Sequence, residues 1–109
     1  MENEITGTIY GFTAGIENGA AYIQESRDKE KIFPKPGDVL YTEYGGMSTA
    51  VGIVPIYAYL HRKGQEESQC VFFVNNDDNQ WEISSEEVLN RLEALLQKVS
   101  EISGCTFEK

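Results

Sequence analysis

From Val88 to Ile102 the apolar residues fall at three- and four-residue steps: Val88, Leu89, Leu92, Leu95, Leu96, Val99 and Ile102. That is the period of an α-helix, and it gathers them into one stripe while Asn90, Arg91, Glu93, Gln97, Lys98 and Glu101 take other faces. Ser84 with Glu87 forms a capping box ahead of the stripe, Glu86 and Glu87 suit the positive end of the helix dipole, and Gly104 is the expected stop. One helix with one apolar stripe cannot bury that stripe alone. It needs a partner surface, and the preceding chain supplies strands. The expected fold is therefore α+β: an antiparallel sheet of five or six strands with one C-terminal amphipathic helix packed on it, residues 1–109 forming a single globular domain.

The strands are read from β-branched and aromatic runs between turn signals. Ile5 to Thr13 reads as one strand with glycines at Gly7 and Gly11, and Asn18-Gly19 marks a tight hairpin into a second strand, Ala20 to Gln24. Glu25 to Pro36 alternates charges and carries two prolines, which suits a loop or a blunted sheet edge. Pro36-Gly37-Asp38 is a turn, and Val39 to Tyr44 a third strand with Val39, Tyr41 and Glu43 on one face. After the turn at Gly45-Gly46-Met47-Ser48, the apolar run Thr49 to Leu60 is a strand kinked or bulged at Pro55, because proline cannot donate to a central ladder. On this run Tyr57 and Tyr59 share a face. Gln69 to Val74 is a buried strand, Asn75 to Asn79 a turn, and Trp81-Glu82-Ile83 a short last strand.

Charge is the second constraint. Of the formal net charge of −9, most falls between Glu66 and Glu93, where eight carboxylates face one cation, Arg91. Such a field favours a cationic partner and disfavours nucleic acid, whose phosphates need lysine and arginine to displace counterions. No run approaches the roughly 20 apolar residues of a membrane-spanning helix. The acidic start Met1-Glu-Asn-Glu-Ile lacks the layout of a signal peptide, and two cysteines are too few for a secreted disulfide scaffold, so a cytoplasmic location is expected. Cys70, beside Val71-Phe-Phe-Val74, reads as a buried thiol and Cys105 as a partly exposed one.

The candidate sites are sparse. Asn75, Asp77, Asn79 and Glu86 have the spacing of a calcium loop, but Gln80 stands where its glycine should be and a strand leads in, so a polar turn is the simpler reading. His61 has no nucleophile motif around it and reads as a solvated strand end; zinc on His61, Cys70 and Cys105 would lack a fourth ligand. Gly45 to Thr49 could form an anion nest but lacks the lysine of a phosphate loop. The chain is therefore expected to be no enzyme and to need no cofactor or metal.

Two functions survive. The first is an acidic binding module that neutralises or inhibits a basic protein through Asp77, Asp78, Trp81, Glu82, Glu86 and Glu87; toxin-immunity proteins and phage-encoded inhibitors of bacterial defence offer an analogy of size and charge alone. The second is a small-ligand binder with an aromatic pocket using Tyr57 and Tyr59, with Arg62 and Lys63 for anionic groups. A homodimer along the 49–60 strand is compatible with either, though burial of that strand beneath the helix is the simpler account. Simultaneous reversal of Asp77, Asp78, Glu82 and Glu86 to lysine is expected, on the first of these, to leave the fold intact and to abolish partner binding.

Overall fold

The computed structural model describes residues 7–45, 52–78 and 83–108. Strands β1 (Gly7–Ile9), β2 (Phe12–Glu17) and β3 (Ala20–Gln24) form an antiparallel sheet in that order. Asn18 and Gly19 join β2 to β3 with φ of 53° and 82°, the type I′ pair whose twist matches the flanking strands. Tyr10 and Gly11 repeat it between β1 and β2 with φ of 50° and 87°. Tyrosine seldom adopts the left-handed region, and here its hydroxyl donates to Asn76 Oδ1 at 2.8 Å across the molecule. This second turn divides the segment 5–13, expected as one strand.

A second sheet contains β4 (Val39–Tyr44), β5 (Ile53–His61), β6 (Gln69–Asp77) and β7 (Thr106–Glu108) in spatial order β6-β5-β4-β7. The helix α1 (Ser85–Ser103) connects β6 to β7. The α+β class is as expected, but the single sheet of five or six strands is two sheets of three and four. The charged, proline-containing segment after β3 leads the chain away from the first sheet. It touches that sheet again around Ile32, which exchanges backbone hydrogen bonds of 2.9 and 2.8 Å with Ile23, while Lys31 pairs with Glu17 and Phe33 packs against Tyr22. Strand β7 was not legible: three residues after a helix stop pair parallel with β4, Val39 facing Thr106.

The register of β5 runs unbroken through Pro55. The Pro55 carbonyl accepts from the Gly45 amide at 2.9 Å, so the proline's missing donor falls on the β4 side where β4 has just ended. The register shift lies instead between Ala58 and Tyr59, where Phe72 faces Ala58 but Cys70 faces Tyr59. The extra residue, Val71, lets two consecutive side chains, Val71 and Phe72, both enter the core. Asn75 to Asp77, expected in a turn, continue β6. Of the expected strand at 81–83, Trp81 and Glu82 lie outside the described residues and Ile83 is not in a strand.

Helix α1 lays Val88, Leu92, Leu96 and Val99, all fully buried, against both sheets, with Leu89, Leu95 and Ile102 at the margins of the stripe. Each such side chain contributes about 2 kcal/mol by removal from water. The Ser84 hydroxyl caps the helix by accepting from the Glu87 amide at 3.2 Å, while the Glu87 carboxylate engages Arg91 at 2.8 Å. Gly104 ends it with φ of 84°. The core joins the inner face of the four-stranded sheet (Leu40, Ile56, Leu60 and Phe72) to the inner face of the first sheet, where Phe12 meets Phe72 edge-on at 5.2 Å between ring centroids. The cysteines are reversed from expectation: Cys70 sits at the exposed start of β6, and Cys105 is buried in the link between α1 and β7. No described helix is long and apolar enough to cross a membrane.

Candidate functional site

Helix α1 and the first sheet cover one side of the four-stranded sheet; among the described residues no element covers the other, open side, and strand register fixes what stands there. Tyr41 pairs with Tyr59 and Glu108, Glu43 with Tyr57, Tyr57 with Phe73, and Ile53 with Asp77, so all share that face. The rings form a connected group. Tyr41 stacks on Tyr59 at 5.2 Å between centroids, Tyr59 on Tyr57 at 5.9 Å, and Tyr57 leans on Phe73 at 4.9 Å. Phe73 and Ile53 are among the most exposed large apolar side chains of the described residues. The Tyr41 hydroxyl is tied to Ser68 Oγ at 2.8 Å. Desolvation, with the neighbouring Glu43 carboxylate, pushes the Tyr59 phenol above its ordinary value, so it stays protonated at neutral pH.

The charges on this face have one sign. Among its described strand residues Glu43, Asp77 and Glu108 are acidic, and none is lysine or arginine. The sequence had Tyr57 and Tyr59 together and Tyr41 on a face with Glu43. Phe73, read as part of a buried strand, belongs to the same group, and the signal that finds it is the bulge, which sequence alone does not locate.

The acidic residues expected to meet a partner are dispersed. Asp77 lies on the open face, whereas Asp78 turns inward at the foot of α1. Its Oδ1 accepts from Ser85 Oγ at 2.6 Å, Ser85 N at 2.9 Å and Asn76 Nδ2 at 2.7 Å. The hydrogen bond from the Ser85 hydroxyl is the largest of the causes that hold this carboxyl below its ordinary 3.8, against a smaller desolvation. Glu87 pairs with Arg91 on the helix surface, Glu86 is exposed in the first turn, and Trp81 and Glu82 lie outside the described residues.

A structural role for Asp78 changes the expected outcome of charge reversal. Its folded-state value is depressed, so its contribution is complete above the ordinary carboxylate value and is lost as pH falls through the native one. Asp78→Asn is expected to flatten the pH dependence of stability below about pH 4, measured by urea unfolding at stepped pH. Asp78→Lys, alone or within the fourfold reversal, is expected to loosen the start of α1 rather than leave the fold intact. An unchanged unfolding midpoint for Asp78→Lys would refute this.

Of the cationic candidates, Arg62 is engaged through its guanidinium and Lys63 through its backbone amide. Arg62 Nη1 donates to Asp38 Oδ2 at 2.9 Å and to the Phe33 carbonyl at 3.0 Å, and the Lys63 amide donates to Asp38 Oδ1 at 2.9 Å. The Lys63 side chain passes over Gly37, so close that a Cβ there would stand 2.7 Å from Lys63 Cδ. Tyr57 and Tyr59 are thus on the open sheet, while Arg62 is held by a buried carboxylate at the end of β5. Among the described residues no three of His, Cys, Asp or Glu gather as a metal site. Asn75 and Asp77 of the calcium spacing sit in β6, Glu86 is on α1, and Asn79 lies outside the described residues, as does the Gly46 to Thr49 stretch of the nest. His61 ends β5 and is half-buried. The chain matches no protein-family model, no curated protein and no solved structure.

Proposed function

We propose that this chain is a non-enzymatic binding module that docks a basic protein on the open face of its four-stranded sheet and shields the partner's cationic surface. The observation that carries the reading is the group Tyr41, Tyr59, Tyr57 and Phe73, in mutual ring contact across three strands, on a face whose charged strand residues are all acidic. Tyrosine supplies large, stiff contact area at low entropic cost, as interface anchors do. Arginine and lysine are attracted both to the ring faces and to carboxylates at the margin. The net charge of −9 adds long-range attraction that speeds encounter with a cationic surface. The docking centre is then the sheet rather than the start of α1, with Asp77 within it and Glu86 and Glu87 as outlying charges.

The small-ligand reading has less support, since Arg62 is committed to Asp38 and the rings of Tyr57 and Tyr59 stack on their neighbours. The test is affinity capture from the source cell with the wild-type chain, a Tyr57→Ser/Phe73→Ser chain and a Glu43→Lys/Glu108→Lys chain. The wild type is expected to retain a basic protein. The ring variant should lose it by at least about ten-fold in affinity, and the charge variant should lose on-rate and salt dependence. Retention of the same partner by both variants at wild-type affinity would overturn the proposal, as would an acidic partner.

A further inference from the structure

Among the described residues the two sheets have four edge strands, and three are short or occupied. Strands β1 and β7 have three residues each, and the outer edge of β3 is taken by Ile32. Strand β6 is different: it is nine residues long, terminal in its sheet, bulged only at Val71, and contains neither proline nor lysine. Natural sheets usually blunt such an edge.

The ladder shows which atoms it presents. In an antiparallel sheet a residue's N–H and C=O point to the same neighbour, and successive residues alternate. Pro55 directs its carbonyl to Gly45 on the β4 side, and Asn75 faces Pro55, so Asn75 directs its own N–H and C=O away from β5. Phe73, two residues back, does the same. The bond from the Asp78 amide to the Gly52 carbonyl, 2.8 Å, fits this alternation, with even-numbered residues turned inward. Among the described residues nothing hydrogen-bonds the outward groups of Phe73 and Asn75. Toward Gln69 the edge runs into a groove of about 310 Å³, with Cys70 and Val71 on one wall and Glu25, Lys29, Glu30 and Ile32 on the other.

We infer that the edge of β6 at Phe73 and Asn75 receives an extended segment of a basic protein as an added strand. The segment hydrogen-bonds Phe73 and Asn75 through its main chain, and its far end enters the groove. Strand addition derives affinity from main-chain hydrogen bonds and selectivity from alternate side chains. Here alternate side chains of the added strand continue the open aromatic face beside Phe73, while the groove wall offers two carboxylates against one lysine. A second copy of this chain is the poorer occupant, because two bodies each carrying −9 repel. The charge of the segment rests on the basic-partner reading above; the pairing itself rests on the edge.

The test uses the isotopically labelled full chain and three blocked peptides about eight residues long: alternating lysine and threonine, alternating glutamate and threonine, and the lysine peptide with every amide N-methylated. The lysine peptide is expected to slow hydrogen exchange at the Phe73 and Asn75 amides and to shift resonances of Cys70 and Val71. N-methylation should weaken it by at least roughly ten-fold, and the glutamate peptide should not bind at about 1 mM. Shifts confined to Tyr41, Tyr57 and Tyr59, with exchange at Phe73 and Asn75 unchanged, would overturn strand addition and leave the basic-partner reading standing. Equal protection by the acidic peptide would overturn the charge of the occupant. Protection that rises with protein concentration and no peptide would assign the edge to a second copy instead, and no binding of any peptide overturns the inference outright.

Discussion

Asp38→Ala is expected to lower the free energy of unfolding by about 3 kcal/mol, and the thermal midpoint by roughly 10–20 °C. Asp38 is only 4% exposed, and its carboxylate accepts from the Lys35 amide at 3.0 Å, the Lys63 amide at 2.9 Å and Arg62 at 2.9 Å. Burial raises its pKa, but the two amides and the guanidinium together outweigh burial and hold it below the ordinary value. Truncation therefore strands two backbone donors and a half-buried cation, and a donor left without a partner costs more than a hydrogen bond gains. The effect also spreads, because the Asp38 carbonyl accepts from the Thr106 amide at 2.9 Å and so helps seat β7. Asp38→Asn keeps the shape but not the charge and should lose about half as much. Urea unfolding of both variants is the check. A midpoint for Asp38→Ala indistinguishable from wild type would mean the surrounding groups find water without cost. The depressed value makes this contribution complete above the ordinary carboxylate range and lost as pH falls through the native one.

Asn76→Ala should have a comparable effect, about 3 kcal/mol, through a different failure. Asn76 is fully buried in β6 and joins three regions. Its amide nitrogen, with two hydrogens to give, has three acceptors in reach, Asp78 at 2.7 Å, Ser85 Oγ at 3.0 Å and the Ile83 carbonyl at 3.2 Å, while its oxygen accepts from Tyr10 at 2.8 Å. Alanine leaves an amide-sized void and removes the partner of each of these groups. The distinguishing result is regional. Hydrogen exchange should accelerate both in the first turn of α1 and in the Tyr10-Gly11 turn, which are distant in sequence. Acceleration at only one would show that Asn76 does not couple them.

What was legible in the sequence follows from range. The helix, its cap at Ser84 and its stop at Gly104 are set within one or two turns of chain, and the periodic leucines state them directly. The Asn18-Gly19 hairpin is equally local. Tyr10-Gly11 has the same geometry but not the residue that advertises it, because a long-range bond to Asn76 helps to hold the tyrosine there. The division into two sheets depends on where the segment after β3 goes, and β7 on a pairing across most of the chain; neither has a local signature. The candidate site divides in the same way. That Tyr57 and Tyr59 share a face is a matter of period two, whereas adding Phe73 requires the bulge opposite Tyr59. Composition announced the acidity but not its use: Asp78 and Asp38 spend their carboxylates on Ser85 and Arg62, and only geometry separates them from Glu43 and Asp77 on the open face.

The parallel pairing of β7 with β4 has a consequence for synthesis. Val39 leaves the ribosome well before Thr106, its partner in the ladder. At ordinary elongation rates the intervening stretch takes roughly 3–13 s to translate. During that interval the nascent chain can form its hairpins, yet β4 has one flank without its neighbour, and the carbonyl of Asp38 waits for an amide not yet made. The final closure of the sheet is thus a late event in the life of each molecule, and a pause in translation within α1 would prolong the exposure of β4 to other nascent chains.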